Sequence, residues 1–311
     1  VNNGLTYLAF ASFSIDGSNI FAGSFGGGIY VSTNNGDIWT EISNGLTNED
    51  IRAISITGSD IFAGSEGGGV FKSENQGTSW ISTNTGLINS NVRSVITIGS
   101  SILVGTYGDG VLLSSNNGST WTHSNSGLTN LYVRSLITSN DSIYVGTQNG
   151  VYLSTNYGLS WTSIGLTGYT VKALTIIGTN LIAGTMNGMF LASNVGSSWT
   201  SINSGLPTIN IECLTVKGAT IFAGTNSGVF LSTNNGSNWT SLNNGFSNLS
   251  IRHLVTKGST IFASAIGGDI YRYSDNEYSW LNISSSLPED YIWSLIACES
   301  FIITGSGSGI Y

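Results

Sequence analysis

Apolar and polar residues alternate in short runs, and the runs recur. Ile51-Arg52-Ala53-Ile54-Ser55-Ile56 is followed by a turn at Gly58-Ser59 and then by Ile61-Phe62-Ala63-Gly64-Ser65. A glycine turn at Gly67-Gly68 leads to Gly69-Val70-Phe71-Lys72-Ser73, and a fourth run opens at Trp80 after an Asn/Gly turn. Runs rich in Val, Ile, Phe and Thr, punctuated by Gly and Asn, predict the strands of an antiparallel meander. The first run recurs near residues 10–15, 51–56, 92–97, 133–138, 171–176, 211–216, 251–256 and 292–297. The second and third runs follow each copy, the last third run being Gly309-Ile310-Tyr311, whereas the fourth occurs only seven times.

Tryptophan marks the period. Trp39, Trp80, Trp121, Trp161, Trp199, Trp239 and Trp280 are separated by 41, 41, 40, 38, 40 and 41 residues. A period near forty made of short β runs is the mark of a repeat architecture. A four-stranded sheet cannot hide both its faces alone, but stacking sheets around an axis buries them and protects the edges. An open solenoid would need a polar cap at each end, and both terminal units keep the apolar pattern. The expectation is an all-β, eight-bladed β-propeller of four-stranded antiparallel blades, a single domain over residues 1–311 with its eighth blade incomplete. The blades fall near 10–42, 51–83, 92–124, 133–164, 171–202, 211–242, 251–283 and 292–311, the last joined by the N-terminus. Val1-Asn2-Asn3-Gly4-Leu5 aligns with Ile42-Ser43-Asn44-Gly45-Leu46, so the chain opens just after a fourth strand. The spacing puts an eighth tryptophan about ten residues past Tyr311, or just before Val1, which predicts a longer natural chain.

Each tryptophan closes a phrase, clearest in Ser32-Thr33-Asn34-Asn35-Gly36-Asp37-Ile38-Trp39 and Ser232-Thr233-Asn234-Asn235-Gly236-Ser237-Asn238-Trp239. Its Asn recurs as Asn75, Asn116, Asn156 and Asn194, and its Gly as Gly77, Gly118, Gly158 and Gly196. Asn accepts hydrogen bonds from turn amides and tolerates left-handed backbone, and Gly relieves the same turn. The indole supplies an apolar plate that fastens the hairpin to its blade. The phrase resembles the Asp-box, or BNR repeat, Ser-X-Asp-X-Gly-X-Thr-Trp, of sialidases, sortilin-type ectodomains, xyloglucan-cleaving glycoside hydrolases and photosystem II assembly/stability factors. Asp275 alone keeps the acid of that motif, in a copy with Glu277 in place of glycine, and Ala192-Ser193-Asn194 lacks the leading serine. With most acids absent, the turns are expected to be structural and to bind no metal, because Ca²⁺ wants several charged oxygen ligands.

Composition narrows the classes. Only 8% of residues are charged, net charge is -8 and 40% are hydrophobic. Folded β structure is expected, with no nucleic-acid surface, which needs clustered Lys and Arg. No apolar run reaches membrane-spanning length. Cys213 and Cys298 occupy different repeat positions and read as free thiols. Asn-X-Ser/Thr at Asn117, Asn140, Asn235, Asn238, Asn248 and Asn282 permits glycosylation. An uncharged Asn/Ser/Thr-rich propeller points to the cell exterior or surface, as one module of a longer chain or assembly.

One polar position recurs in the apolar first run: Ala11, Arg52, Arg93, Arg134, Lys172, Glu212, Arg252 and Trp293. Five of these are basic, out of nine Lys and Arg in the chain. Their stems could simply cover the blades; alternatively they form an anion- or glycan-binding channel mouth, with Tyr107, Phe25 and Trp293 as stacking surfaces. A glycosidase needs two carboxyls at defined separation. The paired acids Glu49-Asp50 and Glu289-Asp290 read instead as solvated loop acids, and His123 and His253 sit in different repeats. No catalytic residue and no cofactor is expected. The function expected is a non-catalytic extracellular binding or adhesion propeller for glycan or surface protein; the alternatives are an assembly scaffold or a glycoside-hydrolase relative.

Overall fold

In the computed structural model, residues 2–196, 198–207, 210–274, 279–284, 287, 291–298 and 301–311 are described. Their regular structure is strand, with one 3-10 turn at Ser193–Val195. Seven successive sheets have four strands each, in chain order within every sheet. The second is representative: Ile51–Thr57, Asp60–Ser65, Gly69–Ser73 and Ile81–Ser82, all paired antiparallel. Its first strand is half-buried, its second and third are buried almost throughout, and its fourth is exposed. The continuous apolar reading of Ile61-Phe62-Ala63 follows from that central place, since both strand faces meet neighbouring sheets.

The expectation of an eight-bladed propeller with an incomplete eighth blade is corrected: the described residues form seven blades of four strands. The eighth sheet has two strands, Ile292–Ala297 and Ile302–Ser306. The third run of that repeat, Gly309-Ile310-Tyr311, joins it through the bridge between Gly305 and Ile310 and through backbone bonds of Thr304 with Tyr311 and of Ser306 with Gly309. A ladder needs several consecutive pairs, and a run of three residues supplies a single bridge in place of a third strand.

The chain divides into two compact units. The first comprises Val1–Val145, Leu153–Thr162 and Thr304–Tyr311, and the second Gly146–Tyr152 and Ser163–Ile303. Within each, apolar layers lie between consecutive sheets. In the first unit Phe21, Ile29 and Ile51 pack with Ile61, Phe71 and Trp80, and Phe62, Val70 and Val92 pack with Ile102, Leu112 and Trp121. In the second, Ile182, Met189 and Ile211 pack with Phe230 and Trp239. Burial of each such side chain stabilises by about 1.5–3 kcal/mol, which is what drives the sheets together.

The tryptophan phrase is a hydrogen-bonded turn. The Ser73 hydroxyl donates to Asn75 Oδ1 at 2.9 Å and accepts the Gly77 amide at 2.8 Å, while Asn75 Oδ1 accepts the Ser79 amide at 2.9 Å. The same three bonds recur around Ser32, Ser114, Ser154 and Ser232. The left-handed residue is not the motif Asn but its successor, at Asn35, Gln76, Asn117, Tyr157 and Asn235, and the glycine after it also has positive φ. At Gly77 a Cβ would stand 2.3 Å from Ile42 Cδ1, so glycine also lets the turn approach the preceding sheet. The fifth copy shows what the hydroxyl does. With Ala192 in place of serine, Asn194 itself takes φ 53° and Gly196 is extended at φ -86°. Asp275 and Glu277 lie outside the described residues.

The indoles reach further than their own hairpin. Nε1 of Trp80, Trp121, Trp161 and Trp199 donates at 2.6 Å to the carbonyls of Ile42, Thr83, Ser124 and Ile164, beside the preceding sheet's fourth strand. Trp239 and Trp280 do the same to Ile202 and Leu242 at 2.7 Å. Each of these six tryptophans therefore joins its sheet to the one before, whereas Nε1 of Trp39 is buried with no partner among the described residues. In the first unit Asn2 Oδ1 accepts the Ile310 amide at 2.8 Å, a bond that Asn84 makes to Val70 at 2.7 Å within the second repeat.

Candidate functional site

The recurring polar position is a β-bulge. Ile51 pairs with Ser65 and Ala53 with Gly64, which leaves Arg52 as the extra residue. The same shift isolates Ala11, Arg93, Lys172, Glu212 and Arg252. A bulge strengthens local twist and re-aims a side chain. That explains why a charged residue is tolerated in an otherwise apolar strand.

The turns between second and third strands supply the neighbours. Ser65 Oγ donates to Gly69 O at 3.0 Å and Thr106 Oγ1 to Gly110 O at 2.9 Å, which closes these turns. Isolated bridges then hold Phe25 to Asp50, Glu66 to Asn91 and Tyr107 to Tyr132. In the first unit the result is a file of alternating groups. The Arg52 guanidinium lies 4.4 Å from the Phe25 ring centre and forms ion pairs with Asp50 at 2.7 Å and Glu66 at 2.8 Å. Arg93 meets the other Glu66 oxygen at 2.8 Å and lies 5.8 Å from the Tyr107 ring centre. Arg134 is 5.3 Å from the same ring on its own account, and Tyr132 meets that ring edge-on at 5.0 Å. Arg52 and Arg93 thus share two carboxylates, Asp50 and Glu66. Arg134 is exposed and has no acidic partner among the described residues. Arg93, Tyr107, Val133 and Arg134 line a cavity of about 510 Å³.

The second unit has its own file. Lys172 Nζ stands 2.7 Å from Glu212 Oε1 and 3.1 Å from Asn210 Oδ1, and Arg252 Nη1 is 3.5 Å from Glu212 Oε2. Glu212 is therefore the counter-ion between two cations. Trp293, 45% exposed, packs beside Tyr291 with ring centres 5.1 Å apart. The structure thus groups Arg52, Arg93, Arg134 and Tyr107 in one unit, and Lys172, Glu212 and Arg252 in the other. Glu66, which neutralises two arginines, carried no sequence signal beyond its place in a turn.

Other reactive groups are held in structural roles. Burial pushes the Cys213 thiol up to about 12 and also raises Cys298, and both are free thiols. Burial, then the charge of Arg252, lowers His253 to about 4, and its Nδ1 lies 2.8 Å from Ser264 Oγ. His123 pairs with Asp109 at 3.0 Å. Among the described residues no three His, Cys, Asp or Glu side chains could hold a metal ion, and no helix is long and apolar enough to cross a membrane. Glu289 and Asp290 lie outside the described residues.

Residues 89–223 match the family model described as the DUF6242 beta propeller domain. No curated protein matches the chain in sequence. Among solved structures, the computationally designed Ika8 protein superposes with TM-score 0.75 at 12% identity, covering 97% of this chain and 95% of that one. The extracellular domain of BT4673 from B. thetaiotaomicron gives TM-score 0.65 at 15% identity over 99% of this chain, which spans only 51% of that domain. YCF48 bound to D1 peptide gives TM-score 0.64 at 14% identity, covering 88% of this chain and 99% of that one. The chain has the β-propeller fold.

Proposed function

We propose that this propeller is a non-catalytic binding module that works outside the cell and takes a carboxylate-bearing glycan between Arg93 and Arg134, over Tyr107. One observation carries the reading: Arg134 is an exposed cation over an aromatic ring, beside a cavity, with no carboxylate among the described residues to neutralise it. An arginine fork matches a carboxylate in plane and charge, and Tyr107 offers an apolar face to a sugar ring. An extracellular place is supported by the low charge, the Asn/Ser/Thr-rich surface turns and the likeness to the BT4673 extracellular domain. The phrase geometry, with its serine and asparagine bonds, supports kinship with Asp-box repeats. A hydrolase is disfavoured because Asp50 and Glu66 are both held by arginines and are poor candidates for a free acid/base pair.

A second reading, recognition of an acidic peptide by an assembly scaffold, is favoured by one comparison: YCF48 was solved with a peptide bound. Calorimetry with polygalacturonate, hexaglutamate and uncharged dextran separates the two. Polygalacturonate is expected to bind, more weakly as salt rises, and Arg93→Ala/Arg134→Ala to lose about tenfold or more of that affinity, the size of one charge-assisted contact. Circular dichroism should show both proteins equally folded. Undiminished binding by the double variant would place the site elsewhere, and preference for hexaglutamate would select the peptide reading.

A further inference from the structure

Among the five tryptophan-phrase turns that keep the leading serine, the tips are polar with one exception. The residue after the motif Asn is Asn35, Gln76, Asn117 or Asn235, and the residue after the Gly is Asp37, Thr78, Ser119 or Ser237. In the fourth repeat these places hold Tyr157 and Leu159, which are 44% and 65% exposed. Tyr157 also has φ 57°, a backbone region that bulky side chains rarely occupy. Its hydroxyl reaches only to Asp141 Oδ1, at 3.4 Å. A strained aromatic kept at the surface, where asparagine would serve the turn better, is a mark of use rather than of packing.

The surroundings say what use. Tyr157, Leu159 and Leu113 line one side of a cavity of about 360 Å³ whose other side is Ser100, Ser101 and Ser115. Those same serines border a second cavity of about 440 Å³ that runs on to Ser59, Asp60 and Asn117. Both volumes fall in the range that holds small ligands. The hydroxyls of Ser100, Ser101 and Ser115 make no hydrogen bond among the described residues. The two linings hold no Lys or Arg, and Lys72, paired with the lining Asp60 at 3.1 Å, is buried and also holds Glu74 at 2.5 Å. An aromatic platform at one end of a groove of free hydroxyls, without positive charge, fits a pyranose chain, whose C–H faces are apolar and whose rim is hydroxyl.

We infer that this groove, on the tryptophan-phrase side of the third and fourth repeats, binds a neutral polysaccharide with Tyr157 as the stacking residue. It is separate from the arginine site, and its test is independent. Affinity electrophoresis of the whole chain in gels containing xyloglucan, galactomannan, arabinoxylan or dextran is expected to show retardation by at least one. Tyr157→Asn, which restores the side chain found in other copies and keeps the turn, should weaken that retardation about tenfold, the loss of one stacked ring. Leu159→Ser should weaken it less, and Arg134→Ala not at all. Retardation by none of the four polymers overturns the inference. So does equal retardation of the parent and both groove variants, or a concentration-dependent mass that those variants abolish, which would make Tyr157 and Leu159 a contact between copies.

Discussion

At the scale of single residues, arginines that look alike by repeat position differ in their surroundings. Arg52 is only 22% exposed and holds both Asp50 and Glu66, whereas Arg134 stands over Tyr107 with no acid beside it. Arg52→Ala would leave two partly buried carboxylates facing each other, and a loss of about 1–2 kcal/mol of stability is expected. Arg134→Ala should leave the urea midpoint where it is. Equal effects in the two denaturation curves would mean that both arginines serve the fold. Their recurrence was legible in the sequence, because a polar residue at every period interrupts an apolar strand. Their differences were not, since they depend on Glu66 and Glu212, turn and strand residues whose partners lie a repeat away. Glu212 in particular departs from the basic residues at its repeat position, and in the structure it is the counter-ion of Lys172 and Arg252.

At the scale of the repeat, the period predicted the meander and its turns well, because alternation and glycine placement are local. Two features were beyond it. The bulge that frees Arg52 is a property of pairing between strands, with no residue type that demands it. The acceptor of the indole, in the six tryptophans from Trp80 to Trp280, is a backbone carbonyl of the previous sheet, which any residue can provide. Trp121→Phe keeps the ring and removes the bond to Thr83 O, and about 1 kcal/mol should be lost; Trp121→Ala should cost about 3–5 kcal/mol. Ser114→Ala leaves the Gly118 amide without its acceptor and is expected to cost about 1–3 kcal/mol. Urea unfolding ranks the three, and a Trp121→Phe protein as damaged as Trp121→Ala would show that the hydrogen bond outweighs the packing.

At the scale of the molecule, the propeller fold was legible from the forty-residue period, but the blade count was not: a repeat's apolar runs can be present, as in residues 292–311, without forming four strands. Stability should also carry one visible titration. His253 stays neutral in the fold down to about pH 4, while the unfolded chain takes up its proton near 6.5, so stability falls as pH drops through that window. Between pH 7 and 5, where carboxylates remain ionised, the loss should be roughly 2 kcal/mol. Melting curves of the parent and His253→Gln across that range are expected to diverge, the variant being flatter; parallel curves would show that the imidazole is not the titrating group.

The hydrogen bonds that join sheet to sheet differ greatly in the length of chain they close. Each indole bond spans 35 to 38 residues, so it can form as soon as one more repeat has left the ribosome. The bond from Ile310 to Asn2 spans 308. Closing a loop that long costs more chain entropy than any single-repeat closure. The short closures are therefore expected to form before the long one: repeats dock one upon the next, and the bond between Asn2 and Ile310 forms late.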